Sequence, residues 1–319
     1  MSRTLYPKIT TYNQEWLDVG DGHQLYIEQS GDPDGIPVIY LHGGPGGSSS
    51  ENHRRYFDPT LYHIILFDQR GCGQSKPAPS IENNNTQCLV EDIETIRKHL
   101  KIEQWVITGG SWGTTLAMVY GITYPEKVLG FILRGLFLGT QAEYDWLYRP
   151  AGAQHFFPEY YDDFTQGMSE DEQCDPLAYY HKELHSENDI ASLAASKRWC
   201  LWELRLSSIE HIGIPQINEA QQALCMAKIS SYYFVNHIFL PENFILNNIH
   251  KIKDIPAILI HGRYDMVCQL YIARKVAEHW DNAKLHTLSC AGHSGFERQT
   301  INAFCQSTDT MAEFLNKKK

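Results

Sequence analysis

The apolar positions of the chain follow two rhythms. Between residues 23 and 140, short apolar runs alternate with stretches of helical spacing. Residues 37–41 (Pro-Val-Ile-Tyr-Leu) predict a strand that ends in glycines, and 63–67 (His-Ile-Ile-Leu-Phe) a second that ends at Asp68. Over 86–100, Leu89, Ile93, Ile96 and Leu100 form one stripe, which predicts an amphipathic helix. Residues 105–108 and 128–133 predict two more strands, with a helical run at 114–120 between them. Strands alternating with helices imply a mostly parallel sheet covered on both faces, the α/β class.

From 141 to 245 the rhythm changes. Aromatic and acidic residues mix at helical spacing, and strand-like runs are few. The first rhythm then resumes, with a strand at 257–260, a helix at 271–280, a strand at 285–288 and a closing helix at 301–315. Pro241 and Pro256 flank the return. The expected organisation is one α/β core, residues 1–140 and 246–319, interrupted by a mostly helical cap, 141–245. No repeat or low-complexity tract is evident.

Composition narrows the function classes. The 319 residues, 43% hydrophobic and 20% charged, are an ordinary globular mixture. A net charge of −11 argues against nucleic acid or an anionic membrane as partner. Within 141–240 there are 6 basic and 15 acidic residues, so this segment carries −9 of that charge. Such a segment is either a solubilising surface or a field for a cationic substrate group. No run approaches the roughly 18 apolar residues of a membrane span. The first seven residues lack the apolar stretch of a secretory signal. The eight cysteines form no C-x-x-C pair, so reduced thiols in a cytoplasmic protein are expected, with no metal or cofactor. His181 and His185 have i, i+4 spacing but lack the glutamate of H-E-x-x-H, and read as an exposed helix face. Oligomeric state is left open.

The strongest chemical signal is Gly109-Gly110-Ser111-Trp112-Gly113, placed after a strand and before a helix. A tight strand-to-helix turn strains the serine, aims its hydroxyl out of the sheet and sets a helix N-terminus under a developing oxyanion. Serine needs a base, and the base an orienting acid. Asp265 just beyond one later strand and His293 beyond the next supply them in the order Ser, Asp, His. Asp265 also reads as a helix N-cap and His293 as a loop histidine, and His261 is a rival base that precedes the acid. The oxyanion donors are assigned to the amides of Trp112 and Gly44, the latter in His42-Gly43-Gly44-Pro45-Gly46-Gly47. A phosphate cradle is the competing reading of this loop, but no G-K-[ST] follows.

These segments resemble the α/β-hydrolase superfamily. Together with Asp68-Gln69-Arg70-Gly71-Cys72-Gly73-Gln74-Ser75, Leu133-Arg134-Gly135-Leu136-Phe137 and His261-Gly262-Arg263-Tyr264-Asp265, they resemble its proline iminopeptidase family, over roughly residues 5–315. The resemblance implies an α/β-hydrolase fold and removal of an N-terminal proline from peptides with a free N-terminus, through a prolyl-enzyme on Ser111. It implies a cap carboxylate for the substrate's ammonium, which falls on Glu203; the plainer reading is an exposed helix glutamate. It also implies Phe137 and Tyr148 as pocket walls, and Arg134 as either a pocket residue or one that supports the pocket from behind. The family's second amine-binding glutamate falls on Ser230, and its run of three aromatics reads Trp146-Leu147-Tyr148. A related esterase or amidase of altered selectivity is the second reading. A silent fold used for binding is the third, and the intact set of Ser111, Asp265 and His293 argues against it.

Overall fold

A computed structural model describes residues 3–209 and 220–317. Its frame is an eight-stranded sheet: β1 (Thr11–Gly20), β2 (His23–Gly31), β3 (Ile36–Leu41), β4 (Tyr62–Phe67), β5 (Trp105–Ser111), β6 (Val128–Leu136), β7 (Ala257–Gly262) and β8 (Ala283–Leu288). The spatial order is β1-β2-β4-β3-β5-β6-β7-β8. The pairs β1–β2 and β2–β4 are antiparallel, and the other pairs are parallel. Every residue of β4 is buried, as strands covered on both faces must be.

The helices of the core are α1 (Thr86–His99) and α2 (Trp112–Thr123). Between β6 and β7 lie α3 (Gln141–Tyr148), α4 (Pro158–Thr165), α5 (Glu170–Gln173), α6 (Pro176–Leu184), α7 (Asp189–Ser207), α8 (Ala220–Val235) and α9 (Phe244–Asn248). The chain closes with α10 (Leu270–Glu278) and α11 (Arg298–Asn316). Asn85 starts α1 by accepting the Cys88 amide on its side chain. α2 is apolar almost all round and buried from Trp112 to Ile122, wedged against β5 and β6.

The intervening helices add an aromatic cluster that is continuous with the core beside the sheet. Trp199 stacks on Tyr148 at 4.7 Å, and Phe164 on Tyr180 at 4.6 Å. Trp202 is buried and donates its indole N–H to the Leu147 carbonyl at 2.9 Å. Among the described residues no helix is long and apolar enough to cross a membrane.

The strand order itself locates the site. β3 sits between β4 and β5, so the connections leaving it and leaving β5 diverge to opposite sides. Ligands bind at such a switch point, outside the C-terminal ends of the strands. Here those ends carry the glycine-rich loop after Leu41 and the turn at Ser111.

Candidate active site

β5 stops at Ser111 and α2 begins at Trp112, with nothing between. Ser111 holds φ 58° and ψ −128°, a backbone region that costs a residue with a side chain about 1–3 kcal/mol. The turn closes because Gly113 has no side chain: a Cβ there would lie 2.1 Å from the Leu41 carbonyl oxygen. The hydroxyl therefore leaves the sheet at the start of a helix whose first amides lack intrahelical acceptors.

Asp265 and His293 follow β7 and β8. His293 Nδ1 donates to Asp265 Oδ2 at 2.8 Å. The carboxylate only accepts, so the ring proton sits on Nδ1 and Nε2 is the basic nitrogen. Burial pushes the Asp265 carboxyl up, but His293 beside it and the Cys268 amide outweigh burial and hold it below the usual range. Its other oxygen accepts the Val267 and Cys268 amides at 3.0 and 2.7 Å. One oxygen thus orders its own loop and the other faces the histidine. His261 is fully buried. It accepts the Leu136 amide on Nδ1 at 3.2 Å and donates from Nε2 to the Cys268 carbonyl at 2.8 Å, so its ring is occupied by backbone.

The loop after β3 is braced by residues of the Asp68-Gln69-Arg70 run. Gln69 donates to the His42 carbonyl and accepts the Trp112 indole N–H, each at 2.9 Å. It thereby ties the loop to the residue after Ser111. Asp68 gathers the Ser49 amide, the Ser49 hydroxyl and the Gln74 amide at 2.6, 2.7 and 2.8 Å. Arg70 forms a buried fork with Asp92 at 2.7 and 2.9 Å. Burial pushes Asp92 up to about 6 even against that guanidinium. Within the loop, Gly44 holds φ +128°, a conformation that favours glycine. Gly43 lies against Ser111.

A cavity of about 240 Å³ opens here. It is lined by Ser111, His293, Gly43 and Gly44, by the apolar walls Phe137, Leu147, Tyr148 and Phe234, and by Arg134, Glu203 and Glu143. Of the residues expected from sequence, seven therefore border one space: Ser111, His293, Gly44, Arg134, Phe137, Tyr148 and Glu203. Asp265 is buried and hydrogen-bonded to His293. Trp112 is buried beneath, its amide at the head of α2. Arg134 reaches the His293 carbonyl.

Glu203 is half-buried on α7 rather than exposed, and Tyr148 donates its hydroxyl to it at 2.6 Å. Burial pushes its carboxyl up to about 7, against the hydrogen bond from Tyr148 and the nearby Trp199 indole N–H. No described cation forms an ion pair with it.

Two expectations need correction. Ser230 does not border the cavity. It is fully buried and donates its hydroxyl to the Pro45 carbonyl at 2.6 Å, pinning α8 onto the glycine-rich loop. A Ser230→Glu substitution is therefore expected to destabilise, by about 1–3 kcal/mol from overpacking, with no gain in affinity for a free amine. A thermal melt together with a KM comparison checks this; tighter binding at unchanged Tm would refute it. His181 and His185 do not form an exposed face: both are half-buried and their rings lie 4.5 Å apart. Cys268 also lines the cavity, whereas Cys72 is buried outside its lining and donates to the Gln69 carbonyl. Among the described residues no group of three His, Cys, Asp or Glu is placed to hold a metal ion.

Glu143 escaped sequence reading. It accepts the Leu138 amide on one oxygen at 3.1 Å, and the Thr140 amide and hydroxyl on the other at 2.9 and 2.8 Å. The spacing Thr140-x-x-Glu143 at a helix start is a capping box, and was the available signal. Burial pushes Glu143 up to about 7 despite those donors.

One further contact joins the inserted helices to the catalytic loop. The Ser207 carbonyl, at the end of α7, accepts the amides of both His293 and Ser294, at 2.8 and 2.7 Å. Glu297 reinforces it, accepting the Ser208 hydroxyl, the Ile209 amide and the Gly292 amide at 2.9, 3.0 and 2.6 Å.

Residues 36–299 match the family described as the alpha/beta hydrolase fold. A proline iminopeptidase of Xanthomonas citri is 41% identical over 314 residues, covering 97% of this chain and all of the relative. A proline iminopeptidase of Arabidopsis thaliana is 42% identical over 303 residues, covering 92% of this chain and 78% of the relative. Among solved structures, a putative lipase of Acinetobacter baumannii superimposes with a TM-score of 0.62 at 16% identity, over 96% of this chain and 91% of its own, a likeness of fold.

Proposed function

The chain belongs to the α/β-hydrolase fold family and, within it, to the proline iminopeptidases, serine hydrolases with prolyl aminopeptidase function, and we propose that Ser111, Asp265 and His293 carry out that reaction here. The substrates are peptides with a free N-terminal proline. His293 takes the Ser111 proton as the hydroxyl oxygen attacks the prolyl carbonyl. The amides of Gly44 and Trp112 receive the oxyanion. His293 then returns the proton to the leaving nitrogen, and water releases proline from the acyl-enzyme. No cofactor enters these steps.

Glu203 is the observation that carries the amine specificity. A carboxylate lining the same cavity as the nucleophile, with no cation of its own, complements the ammonium of an N-terminal proline by a charge-assisted hydrogen bond. Phe137, Leu147, Tyr148 and Phe234 enclose the ring. Arg134 acts through the His293 carbonyl and fixes the base. Eight cysteines without a disulfide support a reducing, cytoplasmic setting.

Proline, alanine and acetyl-proline anilides assayed side by side test the reading. Free prolyl anilide should be turned over fastest and the acetylated compound slowest. Faster turnover of acetyl-proline would favour an esterase or amidase of altered selectivity.

A further inference from the structure

We propose that a second cleft, beside the catalytic histidine, binds the C-terminal carboxylate of a short leaving peptide. The inference rests on the aminopeptidase reading and extends it to the part of the substrate beyond the scissile bond. His293 must protonate the leaving nitrogen, so the departing chain starts within hydrogen-bonding reach of that ring. The catalytic cavity is bordered there by Ser207 and His293. The next residue of each pair, Ser208 and Ser294, borders a separate cleft of about 830 Å³. The ridge between the two is the Ser207 carbonyl with the two amides it accepts. A chain leaving over that ridge enters the cleft.

Three arginines, Arg3, Arg55 and Arg298, line the cleft. Arg3 is paired with Asp309 at 2.6 Å. Arg55 is steered by neutral acceptors, the Tyr6 carbonyl at 2.7 Å and Asn52 Oδ1 at 2.9 Å. Arg298 is exposed and has no ion pair among the described residues. The carboxylate in the lining, Glu297, already accepts three hydrogen bonds from its own surroundings. Among the described residues Arg298 has no carboxylate partner, and Arg55 forms no ion pair although its charge reaches Glu51. Arg298 is moreover the first residue of α11, where the helix dipole disfavours a cation. A negative end group on the ligand answers both observations, and Phe296 offers an apolar surface beside it.

The length rule follows from geometry. An extended chain advances about 3.3 Å per residue, so only one peptide length seats its carboxylate best. The test compares proline-alanine peptides of two to five residues as free acids and as C-terminal amides. At one length the acid should exceed its amide in kcat/KM by about fivefold, as a partly exposed ion pair of about 1 kcal/mol gives. The advantage should shrink as ionic strength rises. Arg298→Glu, at a helix start that tolerates an acid, should abolish or invert it while leaving turnover of prolyl anilide, which has no carboxylate, at the wild-type rate. Acid-to-amide ratios within twofold at every length, or a ratio untouched by Arg298→Glu, would overturn the proposal. Wild-type protein that cleaves neither the peptides nor the anilide would overturn the aminopeptidase reading and the cleft with it.

Discussion

Ser111→Ala is expected to lower kcat by about a millionfold while leaving the fold intact. The figure follows from how a triad works: the hydroxyl, its base and the orienting acid act as one unit, so losing the nucleophile removes the whole covalent route. What remains is oxyanion stabilisation and binding. Single-turnover assays and burst titration of prolyl anilide measure the loss. The backbone supplies a control with its own signature. Ser111 holds φ 58° and ψ −128°, a strain that alanine inherits and glycine escapes. Ser111→Gly should be equally inactive yet melt higher than Ser111→Ala, by an amount reflecting about 1–3 kcal/mol of relieved strain. Substantial turnover in either variant would refute the mechanism. An Asp265→Asn variant should retain geometry and lose about 10⁴-fold, because His293 would then present the wrong tautomer.

The second large effect is selective. Glu203→Gln should raise KM for free prolyl amides about 10- to 150-fold, since a hydrogen bond to a charged group is worth about 1.5–3 kcal/mol. It should barely change turnover of an acyl ester lacking an amine. The pH dependence has a definite sign. Burial pushes Glu203 up to about 7, so the empty site loses its charge as pH falls through that value. The ratio of kcat/KM for amine substrate to that for neutral ester should therefore decline below pH 7. The triad titrates in both numerator and denominator and cancels. In Glu203→Gln the ratio should be low and flat. Equal losses on both substrates would remove Glu203 from the amine site; a slope left near pH 7 in that variant would report Glu143, which lines the same cavity and which burial also pushes up to about 7.

How much of this was legible in sequence depended on whether a residue's job was local. The strands β3 to β7 are short, largely buried apolar runs, β8 is a partly exposed one, and Ser111, Asp265 and His293 stand at or just beyond strand ends, so period and punctuation located them. The pair β1 and β2 escaped. β1 is an edge strand with both faces partly wet, and its residues do not alternate apolar with polar. The Asp21-Gly22 turn, with φ 54° and 77°, was the readable sign of that hairpin. Glu203 was reached only through the family resemblance, since a helix glutamate by itself reads as exposed. Ser230 was misread because a helix position says nothing about which neighbour a hydroxyl meets, and here that neighbour is a carbonyl 185 residues away in sequence. Glu143 was missed because a capping residue looks alike whether its carboxylate faces solvent or a cavity. Gln69 belongs to the same class: its value lies in touching His42 and Trp112 at once, a fact of tertiary structure.

The Ser207 carbonyl gives the molecule a length standard. Glu203 lies one helical turn before it, and the Ser207 hydroxyl bonds back to the Glu203 carbonyl at 2.7 Å. On its other side it holds the two amides that begin the histidine loop. The carboxylate proposed to hold the substrate's terminal nitrogen and the proposed base are thus mounted on one bracket. The inserted helix α7 and the loop of His293 are therefore joined through backbone hydrogen bonds, which fixes the spacing between them. A site built this way counts rather than reads: it measures one residue inward from a chain end, and a proline further along the chain falls outside its gauge.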